Sequence, residues 1–478
     1  MLLSNTFKCC ISAIVSAIAL YYAFDVYRVG WFFAILSFVI LFNAIGKTKG
    51  IFQRMSCVLL YLIVFVTLQY SFLLHVSIRH EQLAFLMLFI VVAVYLAPMS
   101  FWIIFPLSYP VESFACIFLI SEYVFAKSAI GNQMFQLGIA FVDFGLLKWG
   151  YAFVGPWGLS AVGILLSYLL YKLLFSSCFS VFVAVVFILC IASHVELYSE
   201  RANESRSICV SVCCLDNVSE IESVLFETDC SADYVVLPEA MLSVPEDALA
   251  INPFMTQLYR RSRLYGTTYV SGFYTYSNGK TNNAAVVSNY EIEFLRSKKI
   301  LVPFAEYIPC EKLIKKSDFI MSHLPSPLMR GVGSDCFNDG VACFAPLICF
   351  EALFSNYIAH LCRVGAEVFF VSSSNLLIDS EHIEKISHKI MQMNSLVTRR
   401  SFARSSEHGI SCIVSDGGAV EVKPSCSKAM ITCNVILNDE LTLYSSYDII
   451  IDSLYYILNL LMLFLVSLKS KQRALVIN

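Results

Sequence analysis

Three short stretches in the second half of the chain carry side chains able to do nucleophilic chemistry, each read as standing at the end of a strand. They read Tyr234-Val-Val-Leu-Pro-Glu239-Ala, then Lys298-Lys-Ile-Leu-Val-Pro-Phe-Ala-Glu306-Tyr-Ile-Pro309, then Pro346-Leu-Ile-Cys349-Phe-Glu351. A thiol at its ordinary pKa is only slightly ionised at neutral pH, so a nucleophilic cysteine needs a base and a positive neighbour. Glu239 is the candidate base, Lys298 the candidate cation and Cys349 the candidate nucleophile. Read alone, each has a plain alternative: a solvated loop charge after Pro238, one member of a basic surface pair with Lys299, one thiol among many. The spacing to Leu301 favours Lys298 over Lys299. What sets the three apart is their common place at strand ends, where sheet proteins carry functional loops.

The chemistry follows from the residue types. Glu239 takes the thiol proton and returns it to the departing group. Lys298 holds that carboxylate and, with the backbone N–H following Cys349, stabilises a tetrahedral oxyanion. The step leaves a thioester on Cys349, and an attacking amine then releases an amide, so ping-pong kinetics are expected. A Cys–His hydrolase is the weaker alternative, because neither His360 nor His408 has a spacing that selects it.

The chain has 18 cysteines. Those of the second half are Cys209, Cys213, Cys214, Cys230, Cys310, Cys336, Cys343, Cys349, Cys362, Cys412, Cys426 and Cys433. Their spacings match no paired zinc pattern. Cys209, Cys213 and Cys214 lie in the apolar run Ile208–Leu215 and read as buried core thiols. Disulfides are possible in an oxidising compartment, with connectivity left open. A working thiol at Cys349 leaves an odd number of the others, so at least one more is unpaired within the domain. His382 and His388 do not share a helical face at ligand spacing, and no metal or organic cofactor is expected.

The elements that must position these groups divide sharply along the chain. Hydrophobic residues make up 58% of it and charged residues only 14%, where a soluble chain carries about a quarter charged. The net charge of −3 excludes a nucleic-acid partner of the basic-patch kind. Uncharged runs long enough to span lipid lie at Cys9–Phe24, Val29–Gly46, Met55–Val76, Leu83–Pro106, Ser113–Ala126, Trp149–Tyr171, Leu173–Val195 and Ser453–Leu468. Glu112 and Glu122 are read as helix-end charges at the interface, with the lining of a functional cavity as the alternative, and are assigned no role. Lys47, Lys49 and Arg54, with Lys469, Lys471 and Arg473, fall on one side if seven spans precede the polar region and one follows it. Basic loops face the cytoplasm, which puts the polar region outside. The expected division is residues 1–196 as a membrane bundle, 197–446 as a catalytic domain, and 447–478 as an anchor and tail.

Within 197–446 short strand-like and helical runs alternate, an α/β pattern. Strands are expected at Ile208–Leu215, Tyr234–Leu237, Thr268–Tyr274, Ala284–Asn289, Val341–Cys349 and Val368–Ser372. Helices are expected at Glu220–Phe226, Asp247–Tyr265, Glu351–Val364 and Glu381–Phe402, and further strands from Ile410 to Leu437 around the turn Asp416-Gly417-Gly418.

The order Glu, Lys, Cys-x-Glu resembles the nitrilase superfamily and, within it, the apolipoprotein N-acyltransferases. The Lys298–Pro309 stretch is the most specific match, supported by Arg400-Ser-Phe-Ala-Arg404-Ser-Ser-Glu-His-Gly409-Ile-Ser411 and, in the bundle, Gly155-Pro-Trp-Gly-Leu-Ser160. The resemblance implies an α-helical bundle of about eight spans carrying an αββα sandwich domain. It implies a phospholipid acyl donor and, as acceptor, the α-amino group of the diacylglyceryl-cysteine of a lipoprotein. It also implies the bacterial inner membrane, with the domain on the periplasmic side; a monomer is expected. Glu306 and Glu351 are implied to lie by the active site and orient the lysine and the base, with structural salt bridges as the alternative. Phe350, a tyrosine in many relatives, would pack against an acyl chain.

The chain departs from the family in reading Ser372-Ser-Ser-Asn375-Leu-Leu-Ile-Asp379 where Asn-Asp-x-Trp-Phe is usual, in Glu407, and in Ala305 for a glycine. A TraB-like conjugation protein acting on another acceptor is the nearest alternative. C–N hydrolysis and a non-enzymatic membrane protein are the remaining ones.

Overall fold

Apolar helices dominate the first part of the chain because it has too few polar side chains to face water. The computed structural model describes residues 2–74, 88–94, 109–128, 130–176, 206–215, 220–221, 224–225, 232–276, 279–288, 291–309, 311–314, 327–375, 378, 380–423 and 429–477. Among them, 5 helices are long and apolar enough to cross a membrane: Asn5–Asp25, Gly30–Lys47, Ile51–Gln69, Lys148–Phe175 and Leu443–Ser470. The chain is a membrane protein. The expected span Ser113–Ala126 is the helix Pro110–Ala126, 17 residues and slightly shorter than those 5. Most of Leu83–Pro106 and of Leu173–Val195 lies outside the described residues.

Small and hydroxylated residues let the first two helices approach. Ala13, Ala17 and Ala34 are fully buried, and the Ser16 hydroxyl donates to the Ser37 carbonyl at 2.8 Å, the polar glue expected between helices in lipid. Gly155 has φ 65°, which breaks the helix Tyr151–Ser176 near its start, and Pro156 opens the rest. Glu122 corrects its sequence reading: it is buried and its carboxylate accepts the backbone N–H of Leu137. It ties the turn Leu137–Phe141 to the helix Pro110–Ala126 from a buried position and does not face an interface.

The chain divides into two compact units, Met1–Arg201 with Tyr447–Asn478, and Ala202–Ser446. The second holds the strands β1 (Ser207–Leu215), β2 (Tyr234–Val236), β3 (Ser243–Pro245), β4 (Thr268–Tyr276), β5 (Lys280–Ser288), β6 (Glu291–Ser297), β7 (Phe337–Asn338), β8 (Cys343–Ile348), β9 (Val368–Ser374), β10 (Ser401–Glu407), β11 (Ser411–Val414), β12 (Val420–Lys423) and β13 (Ala429–Ile436). They connect in the order β6-β5-β4-β2-β1-β10-β9-β8-β7. The hairpin expected at Asp416–Gly418 joins β11 and β12 antiparallel.

Strand alternation builds the layers. Val210, Val236, Val270 and Val286 from one half pack with Phe344, Phe370 and Ala403 from the other. The opposite faces take Val235, Leu237 and Tyr269 against the helix Pro253–Tyr265, and Leu347, Phe369 and Phe402 against the helices Ser355–Val364 and Glu381–Thr398. Successive side chains point to opposite faces, so two sheets meet over an apolar seam with helices outside. This is the αββα sandwich the sequence led one to expect.

Element ends moved for local reasons. The helix expected from Asp247 begins at Pro253, where the Asn252 side chain accepts the Phe254 N–H at 2.9 Å as an N-cap. The helix expected over Glu351–Val364 is a 3₁₀ turn, Cys349–Leu353, followed by the helix from Ser355. The one expected to reach Phe402 stops at Thr398 with Arg399 in the left-handed region, and β10 follows. The expected helix Glu220–Phe226 lies largely outside the described residues.

Candidate active site

β2, β4, β6, β8, β9 and β10 run in one direction through their pairings, and the candidate residues sit at or just past their C-terminal ends. Glu239 follows β2, Lys298 follows β6 and Cys349 follows β8. Strands of both sheets thus deliver their loops to one place.

Glu239 is buried. Its backbone N–H donates to the Ser373 carbonyl at 3.2 Å, and its Oε2 accepts the Ser374 N–H at 3.2 Å. The turn can pass this close to β4 because Gly272 lies beneath it; a Cβ there would stand 2.8 Å from the Glu239 Cα. Lys298 Nζ lies 3.6 Å from Glu239 Oε1 and 2.7 Å from Glu306 Oε1. The other oxygen of Glu306 accepts the Val302 N–H at 2.9 Å. Burial pulls the Lys298 ammonium down, but Glu239, Glu306 and Cys349 together outweigh it and hold its pKa above the ordinary lysine value. The lysine is a fixed cation.

Cys349 takes φ +48°, a left-handed backbone rare for a residue with a side chain. It stands where β8 turns sharply into a 3₁₀ turn, and strain of this kind clusters at functional sites. Its Sγ is 4.0 Å from the Ser374 carbonyl, so the Ser374 backbone faces the thiol with its oxygen and Glu239 with its N–H. Cys349 is a free thiol.

Glu306 and Glu351 are both buried, in different places. Glu306 touches the lysine, as expected. Glu351 instead grips backbone: it accepts the Lys299 N–H at 2.7 Å and the Ile348 N–H at 3.0 Å. It thereby fixes the residue after Lys298 and the residue before Cys349 with one carboxylate. Its charge is met by Arg296, whose two terminal nitrogens donate at 2.6 and 2.8 Å. Phe350 is buried edge-on against Phe354, ring centroids 5.0 Å apart.

Sequence reasoning gave three groups no place at the site, Arg404 among them although it stands in the matching segment Arg400–Ser411. Arg296 lies in β6, where flanking charges masked the strand. Tyr274 on β4 stands beside Glu239, Lys298, Glu306 and Cys349; burial first, then the carboxylates, push its hydroxyl up, so it stays a neutral donor. Arg404 is buried, donates to Ser373 Oγ at 3.0 Å and to Glu384 Oε1 at 3.1 Å, and acts on Cys349 from the side of β10. The departure at Glu407 lies close by: its buried carboxylate accepts the Ser374 hydroxyl at 3.3 Å. In the altered loop Ser372–Asp379, positions 376, 377 and 379 lie outside the described residues.

Burial pushes the Cys349 thiol up to about 11; Glu239 adds to the rise, while Lys298, Ser373 and Arg404 oppose it. The resting site therefore holds a neutral thiol, and the thiolate has to be made during attack. Alkylation of Cys349 by iodoacetamide should accordingly climb about tenfold per pH unit until about 11. Glu239→Gln removes a charge that raises the thiol, so that variant should alkylate faster at each lower pH. Peptide mass spectrometry reads both; a plateau already at pH 9, or a slower Glu239→Gln variant, contradicts this electrostatic picture.

No family model matches the chain. The apolipoprotein N-acyltransferase of Wigglesworthia glossinidia brevipalpis is 20% identical over 331 residues, covering 64% of this chain and 65% of that protein. That of Pseudomonas aeruginosa (strain LESB58) is 25% identical over 232 residues, 45% of this chain and 43% of its own length. The chain thus spans less than two thirds of the length of the curated relatives it matches. Among solved structures, Saccharomyces cerevisiae Nit3, of branch 10 of the nitrilase superfamily, aligns over 49% of this chain and 93% of its own at TM-score 0.36 and 15% identity. An amidase from Nesterenkonia sp. AN1 aligns over 51% and 95% at TM-score 0.34 and 12% identity. The chain is a distant homologue of the apolipoprotein N-acyltransferases.

Proposed function

We propose that this membrane protein moves a fatty acyl chain from a phospholipid, through a thioester on Cys349, to the α-amino group of the diacylglyceryl-cysteine of a lipoprotein. The observation that carries the reading is the meeting of Glu239, Lys298 and Cys349, drawn from three separate strand ends, in a distant homologue of enzymes of that name.

In the first half-reaction the Cys349 sulfur attacks the ester carbonyl of the lipid while Glu239 takes the thiol proton. Lys298 and the Phe350 N–H face the developing oxyanion. Collapse expels the lysophospholipid oxygen, which receives the proton from Glu239. In the second half the acceptor amine attacks the thioester carbonyl and gives its proton to Glu239. The sulfur leaves and is reprotonated, which restores the resting thiol. Glu306 holds Lys298 in register, Glu351 holds the two loops, and Phe350 offers an aromatic wall for the acyl chain. The reaction needs no metal or organic cofactor, and a monomer suffices for it.

Residues 197–446 are the catalytic domain in this reading, between the bundle of 1–196 and the anchor and tail of 447–478. The domain faces the periplasm from the bacterial inner membrane. The support is the basic clusters Lys47, Lys49, Arg54 and Lys469, Lys471, Arg473, which belong on the cytoplasmic side. A second reading keeps the chemistry and changes the acceptor, as in TraB-like conjugation proteins; Glu407 beside the Ser374 hydroxyl favours keeping it.

The test incubates membranes containing the protein with phospholipid and a diacylated lipopeptide and weighs the products. A lipopeptide heavier by one acyl chain is expected. Free fatty acid in its place makes the protein a hydrolase, and acyl transfer to some other amine alone selects the second reading.

A further inference from the structure

The hairpin that delivers Cys349 carries two thiols for which the proposed reaction has no use. β7 and β8 pair with Phe337 opposite Phe344 and Asn338 opposite Cys343. Cys336 stands one residue before β7, two positions from Asn338, and so shares a face with Cys343. Both sulfurs converge on the end of one helix. Cys336 Sγ lies 4.0 Å from the Leu361 carbonyl, and Cys343 Sγ lies 3.8 Å from where a Cβ on Gly365 would stand. Leu361 and Gly365 belong to the same helix end, closed by the 3.0 Å bond from the Ala366 N–H to the Leu361 carbonyl. There the two thiols hydrogen-bond each other, and that contact is the main cause raising the Cys336 thiol and lowering that of Cys343. Both residues are half-buried and reachable by a thiol reagent.

The geometry points to a disulfide between Cys336 and Cys343 as the working form of this domain, formed by exchange with a disulfide-bearing oxidant. The inference rests on the periplasmic placement proposed above, because a reducing cytoplasm would keep both thiols free. The Cys343 thiolate attacks the oxidant's S–S bond and releases one of its thiols. The Cys336 thiolate then attacks the Cys343 sulfur of the mixed disulfide and releases the second. Two electrons and the two thiol protons pass to the oxidant, which leaves as dithiol.

The bond would fix more than a hairpin. Asp335, next to Cys336, accepts from Arg296 at 3.2 Å, Lys299 at 2.7 Å and Tyr357 at 2.8 Å, and Arg296 in turn holds Glu351. The disulfide thus anchors the outer end of the frame whose inner end positions Lys298 and Cys349.

The experiment alkylates cells with N-ethylmaleimide under denaturing conditions, recovers the full-length protein, and digests it with trypsin and an Asp-directed protease. The second enzyme cuts at Asp339, between the two cysteines. Fragments bearing Cys336 and Cys343 should stay joined until reduced, with Cys349 carrying maleimide. A second arm treats membranes, after mild reduction, with oxidised glutathione. A link absent from cells but formed in that arm shows that the two thiols can close, and it overturns the disulfide as the working form together with the periplasmic placement it rests on. No link in either arm, or linkage of Cys336 or Cys343 to Cys349 or Cys362 instead, overturns the proposal. Cys336→Ser and Cys343→Ser should each lower the thermal midpoint of the isolated protein by about 5 °C, with the double variant no worse than either; additive losses argue against a shared bond.

Discussion

Replacing Cys349 by alanine is expected to abolish acyl transfer, a loss of about 10⁴-fold or more. The nucleophile has no deputy. The other thiol on this hairpin strand, Cys343, lies at the opposite end of β8, and Glu239 and Lys298 are aimed at the turn after that strand. Cys349→Ser keeps a proton and a lone pair but offers an alcohol far less acidic than a thiol, so it should fall nearly as far. Stability should change little, because alanine meets the same φ of +48° and only one sulfur atom is lost. Two readouts separate chemistry from folding: the mass of the lipopeptide product, and a hydroxylamine-labile acyl label on the protein that should be present in wild type and missing from Cys349→Ala. Product from Cys349→Ala at more than about a hundredth of the wild-type rate would remove the thioester route altogether.

The site was legible in the sequence where chemistry and strand ends coincide. Glu239 and Cys349 each stand after a short apolar run, and the fold brings them to Lys298 because β2, β6 and β8 point the same way. Glu306, eight residues beyond Lys298, was given its place by the resemblance of that stretch to the family and not by the residues alone. Arg296 was given none. It sits in a strand whose alternating partners include Glu291 and Glu293 on the exposed face, so the segment reads as polar surface, although Arg296 itself is 1% exposed. Burial of that guanidinium depends on Glu351 and Asp335 arriving from 55 and 39 residues away. No local pattern encodes such a meeting. Tyr274 was hidden for the same reason, an ordinary strand residue until other strands supply its neighbours, while Arg404 stood out only as one residue of a matching segment, without a place at the site.

The layers were legible for a different reason. In β1, Ile208, Val210 and Val212 recur at every second position and face the opposite sheet, and period 2 is a local property. Helix ends were not, because they follow caps and left-handed residues such as Asn252 and Arg399. In the bundle, hydrophobicity identified the spanning helices but gave Glu122 the wrong setting; what decides it is the backbone N–H of Leu137, 15 residues on, which needs an acceptor inside the bundle.

The frame around the site carries the second large prediction. Arg296 and Glu351 have fully buried side chains, and a paired charge deprived of its partner in such a place typically costs about 3–5 kcal/mol. Arg296→Met should therefore lower the thermal midpoint by about 10 °C and reduce acyl transfer as well, since Glu351 fixes the residues flanking Lys298 and Cys349. Glu351→Gln made on top of it removes the stranded charge while an amide oxygen still accepts a backbone N–H. The double variant should regain a good part of the lost midpoint, although two backbone N–H groups then compete for that single oxygen. The coupling has a sign that simple loss of packing does not produce: the second substitution, harmful alone, becomes helpful in the first background. If the two losses merely add, the ion pair does not hold the frame, and the backbone contacts of Glu351 have to be sustained by something other than its charge.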